Sequence, residues 1–276
     1  MGQRVKLTRR VGFSAGHRYW RNDWTEAQNR ERFGRWASPY NHGHNYVLYV
    51  TWEGPVNPSH GMVVNIKQLD QVLQEHVVAV YDQKSINDEV PGFQAKSPTL
   101  ENILVAIRSP LMSMDLGADL VAIRLDETET LYAEWNNDMQ ETSLTITRVY
   151  EFAASHRLHV EAFSHEENLA HFGKCNNPAG HGHNYVLEVT VQGPADPETG
   201  MLVNIEDLDR IVHQKVIDRF DHKNLSSDVP EFAGKNPTSE VVAQEIFNLL
   251  SPSVPARLSR IRLHETARNI FEISSE

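Results

Sequence analysis

Six histidines fall into two sets whose spacing suits a metal ion. His42 and His44 lie in the string His42-Gly43-His44-Asn45-Tyr46, which returns as His181-Gly182-His183-Asn184-Tyr185. A third histidine stands upstream of each string, His17 after Val-Gly-Phe-Ser-Ala-Gly and His156 after Tyr-Glu-Phe-Ala-Ala-Ser. Residues i and i+2 of an extended segment share a face, so both imidazoles of a His-Gly-His can reach one ion. Three neutral imidazoles plus an open position is the usual holder of a catalytic zinc. A single His-x-His is weak evidence; the recurrence of the whole set at the same spacing is strong.

Two further residue types could act beside the second set. Cys175, the single cysteine, sits in the polar stretch Phe172-Gly173-Lys174-Cys175-Asn176-Asn177. It could be a fourth ligand closing a structural site or an inert buried thiol. A polar, glycine-containing setting beside Lys174 and the ion favours a third role, that of a reactive base. Glu265 closes the apolar run Arg262-Leu263-His264-Glu265-Thr266. It is either a solvated strand end or an acceptor of two parallel hydrogen bonds from a flat heterocycle.

The chain that must position these groups has 276 residues, enough for about two domains, with 40% hydrophobic and 23% charged residues. That balance describes a folded soluble protein. A net charge of −11 argues against nucleic acid as the main partner, although local basic residues can still hold a small anion. No apolar run follows the basic start Met1 to Arg10, and none approaches the length of a membrane span, so we expect neither a secretory signal nor a membrane partner. One cysteine excludes an intrachain disulfide and fits the cytoplasm.

Shifted by 139 positions, the sequence matches itself: His17 on His156, Phe33 on Phe172, Gly61-Met62 on Gly200-Met201, Asp82 on Asp221 and Thr99 on Thr238. After the loss of one residue, Glu127-Thr128 meets Glu265-Thr266. This period is far beyond that of a solenoid repeat and marks two tandem domains, 1–137 and 138–276. Each reads strand, strand, helix, helix, strand, strand. In the first copy the strands are expected at Lys6 to Phe13, Asn45 to Trp52, Leu120 to Leu125 and Glu129 to Trp135, and the second copy opens with Leu144 to Phe152. A helix is expected near Ile66 to Ala79, and another after Ser97, with Ser97 as its cap and Pro98 at its first position. Arg18 to Asn41 is expected to be a long functional loop, and Asn136 to Thr142 the linker. The class is α+β, an antiparallel sheet with two helices on one face.

These residues resemble the 6-pyruvoyl-tetrahydropterin synthases and the related 6-carboxytetrahydropterin synthases, over essentially the full chain. The motifs are Phe-x-Ala-x-His, Cys175 six positions before His181, Asp221-His222, Pro237-Thr238-x-Glu240 and Glu265-Thr266. The resemblance implies tandem tunnelling-fold domains, each a four-stranded antiparallel sheet with two helices on one face. It also implies zinc on His156, His181 and His183, with Cys175, Asp221 and His222 as catalytic groups. Glu265 would anchor a pterin, with Thr266 and Thr238 lining its pocket. The implied reaction converts 7,8-dihydroneopterin triphosphate to 6-pyruvoyl-tetrahydropterin with loss of triphosphate, and Arg157, Lys174 and Lys235 are candidates to hold the triphosphate. Five residues between Cys175 and His181, where the carboxy-type enzymes typically have three, favour the pyruvoyl product over 6-carboxy-tetrahydropterin. A non-catalytic pterin-binding module is the alternative of another class.

The first half departs from the pattern. It keeps His17, His42, His44, Glu127, Thr128 and Thr99, but Trp36 stands at the cysteine position and Gln83 at the histidine position. Neither can exchange a proton in general acid-base chemistry. We therefore expect a degenerate site that still binds zinc, its pocket either open to a flat heterocycle or closed by the indole. Family sheets close edge to edge into barrels, with the Asp-His pair reaching the cysteine from a neighbouring domain. That predicts a homo-oligomer: a trimer of tandem chains forming a pseudo-hexamer with like halves together, or alternatively a dimer.

Overall fold

The structure, a computed structural model, describes residues 3–140 and 142–275. It divides into two compact units, residues 1–146 with 192–204, and residues 147–191 with 205–276. Met1, Gly2, Glu276 and the linker residue Glu141 lie outside the described residues.

In the first unit, β1 (Arg4–His17) and β2 (His42–Pro55) run antiparallel from Arg4 opposite Pro55 to His17 opposite His42. A helix, α1 (Glu26–Phe33), stands between them in sequence. Next comes α2 (Ile66–Leu73), which continues through a π-helical turn, Gln74–Val78, to Ala79–Tyr81. The two-residue β3 (Lys84–Ser85) joins β1 in parallel and leads into the short α3 (Ile86–Glu89). Helix α4 (Leu100–Met112) then packs on β4 (Asp119–Thr128) and β5 (Leu131–Asn136). β4 pairs antiparallel with both β2 and β5. Along β2, Tyr46, Leu48, Val50 and Trp52 are all buried, the period-two pattern of a strand with one covered face.

The second half repeats this order. It contains β6 (Ser143–His156), α5 (His165–Phe172), β7 (His181–Pro194), α6 (Ile205–Val212, continuing through a π turn at His213–Ile217 to Asp218–Phe220), β8 (Lys223–Asn224), α7 (Ser239–Leu250), β9 (Arg257–Thr266) and β10 (Asn269–Ser274). β8 pairs in parallel with β6, and β6, β7, β9 and β10 are neighbours in that order. The class is α+β. Beyond the four strands and two helices expected, each copy adds a two-residue strand and at least one short helix.

Three local expectations need correction. β1, β2, β4 and β6 run further than expected, because the histidines and Glu127-Thr128 continue the ladder that the hydrophobic pattern marks only in its middle, whereas β5 starts at Leu131, with Glu129 and Thr130 in the turn before it. The stretch Arg18 to Asn41 is not all loop. α1 carries only Ala27 and the buried Phe33 as apolar residues, too few to show an apolar period, yet it is fixed by a capping box in which Thr25 and Gln28 serve each other's amides. Ser164 and Glu167 do the same for α5. Ser97 does not cap α4. Thr99 does, its hydroxyl accepting from the Asn102 amide at 3.3 Å, and Thr238 caps α7 in the same way.

Candidate metal and pterin site

In the second half, His156 ends β6 while His181 and His183 open β7, so paired strands deliver all three imidazoles to one place. Their ligating atoms lie within 4.8 Å of one another. Nδ1 of the buried His156 donates to the Pro237 carbonyl at 2.8 Å, which fixes the tautomer and leaves the Nε2 lone pair for a ligand. The tight turn before His181 needs Gly180, whose φ is +72° and whose missing Cβ would lie 2.9 Å from the His156 carbonyl oxygen. His156 Nε2 and His181 Nε2 are 3.2 Å apart. Two nitrogens bound to a tetrahedral zinc stand about 3.3 Å apart. His183 Nε2 is buried without a hydrogen-bond partner. A buried orphan of this kind costs on the order of 1–3 kcal/mol unless something occupies it. Burial also lowers the pKa of His156 and His183, although the Pro237 carbonyl, for His156, and Glu265, for both, work the other way. Both rings are therefore neutral and able to ligate near pH 7. The donor set fits a cation.

Glu265, at the end of β9, comes against this triad, with Oε1 3.9 Å from His156 Nε2 and 3.8 Å from His183 Nε2. Ser239 donates to Oε1 at 2.7 Å and Asn269 to Oε2 at 2.9 Å. Burial works to raise its pKa, but these hydrogen bonds and the two histidines hold it below the usual glutamate value.

Cys175 is half-buried and does not join the metal cluster among the described residues. Its carbonyl accepts from the Leu158 amide at 2.8 Å, which ties its loop to the segment just after His156. Asp221 Oδ1 accepts from the Ala153 amide at 2.7 Å, and Oδ2 accepts from His222 Nδ1 at 2.8 Å. The His222 imidazole is 83% exposed. His183 and His222 line one cleft of about 570 Å³. Among the described residues no hydrogen bond joins Cys175 to Asp221 or His222.

The first half reproduces the metal site. His17 Nδ1 donates to the Pro98 carbonyl at 2.8 Å, and the three imidazoles again cluster. Burial is the main cause that takes His17 to a pKa of about 3 and His44 to about 4. Glu127 lies 3.8 Å from His17 and 3.7 Å from His44. Trp36 packs against a cluster of Tyr19, Phe33, Ala37 and Met201.

Both halves match one family: residues 6–138 and 145–276 each correspond to the 6-pyruvoyl tetrahydropterin synthases. The chain belongs to the 6-pyruvoyl tetrahydropterin synthase family. Among its relatives, the 6-pyruvoyl tetrahydrobiopterin synthase of Poecilia reticulata is 50% identical over 132 residues, 48% of this chain and 90% of that protein. The enzyme of the same name from Homo sapiens is 46% identical over 132 residues, 48% of this chain and 91% of the relative. A 6-carboxy-5,6,7,8-tetrahydropterin synthase of Rickettsia bellii is 30% identical over 146 residues, 46% of this chain and 97% of its own length. The solved 6-pyruvoyl tetrahydropterin synthase of Caenorhabditis elegans has 39% identity and a TM-score of 0.47, covering 50% of this chain and 99% of its own.

Sequence reasoning missed one participant in this synthase-like first unit, the segment around Gly200. Thr99 Oγ1 donates to the Gly200 carbonyl at 2.7 Å, and the Leu202 amide donates to Glu101 Oε1 at 2.8 Å. Gly200, at φ +79°, has no room for a side chain, since a Cβ would fall 2.0 Å from Asn102 Nδ2. Burial pushes the Glu101 carboxyl up to about 7, against the opposing hydrogen bonds from Leu202, its own amide and Thr99. A carboxyl raised in the folded state is neutral there while the unfolded chain has already ionised. Its contribution is therefore lost as pH rises from about 4.5 to about 7, by on the order of 3 kcal/mol. The thermal stability of Glu101→Gln relative to the parent should rise across that window, read as the difference between the two because the histidines titrate there too. A difference that stays flat from pH 5 to pH 8 would contradict the assignment.

Proposed function

We propose that the chain is a zinc-dependent 6-pyruvoyl-tetrahydropterin synthase, with residues 138–276 catalytic and residues 1–137 a degenerate copy that retains its metal site. The observation that carries this reading is the convergence of the His156, His181 and His183 nitrogens beside Glu265. A pterin anchored by Glu265, with Thr238 and Thr266 alongside, would present its side chain to His156, His181 and His183, the residues that would hold zinc. Bound there, zinc supplies Lewis-acid polarisation of substrate oxygen. Cys175 as thiolate would take the carbon-bound proton of the side chain. Asp221 orients the His222 imidazole for proton exchange on the other side. The triphosphate leaves, and an internal redox rearrangement oxidises the side chain to the pyruvoyl group while the dihydropterin ring takes up the two electrons and becomes tetrahydropterin.

A cavity of about 390 Å³ lined by Arg157, His159 and Lys235 lies beside the Cys175 loop, where Arg157 Nε donates to the Asn176 carbonyl. It suits the triphosphate; Lys174 does not line it. The pyruvoyl product is favoured over the carboxy product by the five residues between Cys175 and His181 and by the higher identity to relatives bearing the pyruvoyl name. No helix among the described residues is long and apolar enough to cross a membrane, and the lone thiol fits the cytoplasm.

The deciding experiment is to incubate the zinc-loaded protein with 7,8-dihydroneopterin triphosphate and weigh the pterin product. The mass of 6-pyruvoyl-tetrahydropterin supports the proposal; that of 6-carboxy-tetrahydropterin moves the chain to the sister reaction. No turnover at all leaves a binding module.

A further inference from the structure

We propose that Ser239 and Asn269 set the plane of the Glu265 carboxylate for a pterin, and that leucines in their places leave the first half without a pterin anchor, so that one chain binds one pterin. The proposal rests on the reading of Glu265 as that anchor. A glutamate left to itself anchors a flat ring poorly. Its terminal torsion is broad and roughly two-fold, whereas two parallel hydrogen bonds from an amino group and a ring nitrogen need both oxygens held in one plane.

In the second half that plane is held from two sides. Ser239, buried at the first position of α7, donates to Oε1 at 2.7 Å, and Asn269, at the start of β10, donates to Oε2 at 2.9 Å. Each donor is itself fixed. Thr238 caps the helix directly before Ser239. The Asn269 amide donates to Thr266 Oγ1 at 3.2 Å, which shapes the turn between β9 and β10. An ionised carboxylate offers about four lone-pair positions. One hydrogen bond to each oxygen leaves a position on each for the heterocycle, and the Glu265 side chain, 15% exposed, remains within reach of a ligand.

The first half serves as an internal control. Across the repeat, Ser239 corresponds to Leu100, the first residue of α4, and Asn269 to Leu131, the first residue of β5. Both leucines are buried, and neither side chain can donate a hydrogen bond. The carboxylate stands differently as well. The nearest Glu127 oxygen is Oε2 for His17, at 3.8 Å, and Oε1 for His44, at 3.7 Å, so the group straddles the two rings, whereas Glu265 turns Oε1 to both His156 and His183. Only 4% of the Glu127 side chain meets solvent. The repeat has thus kept three histidines in each half but the two donors behind the carboxylate in one half alone.

The test counts pterins with neopterin, which carries no phosphate and so cannot undergo the elimination. Equilibrium dialysis of the zinc-loaded chain is expected to give one neopterin per chain, lost in Glu265→Gln and kept in Glu127→Gln. Two per chain, or one that survives Glu265→Gln, overturns the proposal. Ser239→Ala and Asn269→Ala should each weaken neopterin binding and raise KM by about 10-fold, the cost of a hydrogen bond to a charged group, with kcat falling less than KM rises. Ser239→Thr keeps the hydroxyl and should retain parent affinity, which separates the hydrogen bond from packing. Parent affinity in both alanine variants, an equal loss in Ser239→Thr, or affinity lost only together with zinc overturns the positioning role. If the parent neither binds neopterin nor turns over 7,8-dihydroneopterin triphosphate, the functional reading of Glu265 fails. If the parent does either and the variants match it, this proposal fails alone.

Discussion

Replacing Cys175 with alanine is expected to lower turnover by about 100-fold or more, the usual cost of a lost positioned base, while fold and metal content stay unchanged. The separation of these readouts follows from geometry: the thiol stands outside the cluster formed by His156, His181 and His183. Its loop is held independently, by the Leu158 amide on the Cys175 carbonyl and by the Asn176 side chain on the Leu158 carbonyl at 2.7 Å. Removing Sγ therefore leaves the scaffold in place. Steady-state kinetics with metal analysis on the same preparation check this. Loss of one metal equivalent in Cys175→Ala would make the cysteine a ligand and the site a structural one.

His181→Ala is expected to behave in the opposite way, losing one of two bound equivalents of metal together with nearly all turnover. Two imidazoles cannot hold zinc as three do, and the remaining His156 Nε2 would lose its neighbour at 3.2 Å. The effect has a pH signature as well. Burial lowers the pKa of His156 and His183, so protons compete with a metal there only below the usual histidine range. Metal retention in the parent should hold through pH 6 and fall in more acid solution. Full metal content in His181→Ala, measured by atomic spectroscopy, would remove His181 from the ligand set.

Much of this site was legible in the sequence because its parts are local. His-Gly-His places two rings on one strand face by period alone, and the antiparallel register then brings the upstream histidine opposite, as His17 stands opposite His42. Other features were legible only in part. Thr25 and Gln28 spell a capping box, but α1 has no apolar stripe to support it, and the helix went unread. Ser97 and Thr99 are both plausible caps two residues apart; which hydroxyl meets a free amide depends on where Pro98 turns the chain, and that carbonyl is committed to His17. The seat of Gly200 on Thr99 and Glu101 left no local trace. It joins residues 101 positions apart through backbone groups, which every residue type supplies.

Gln83 and His222 are the only non-glycine residues with positive φ among those described, at 58° and 57°. Such a conformation costs an L-residue roughly 1–2 kcal/mol. At His222 that cost accompanies an imidazole held by Asp221; at Gln83 no imidazole is left to hold. The backbone bend survives there because the Gln83 amide donates to the Ser14 carbonyl at 2.7 Å and Asp82 accepts from the Ser14 amide at 2.8 Å, the bonds that splice β3 onto β1. The twist belongs to the fold, since both halves keep it. On the proposed reading of the first half as a degenerate copy, side chains can drift there while the backbone keeps its shape. Chemistry at that site would then call for two new side chains, at positions 36 and 83, on a frame already bent to receive them.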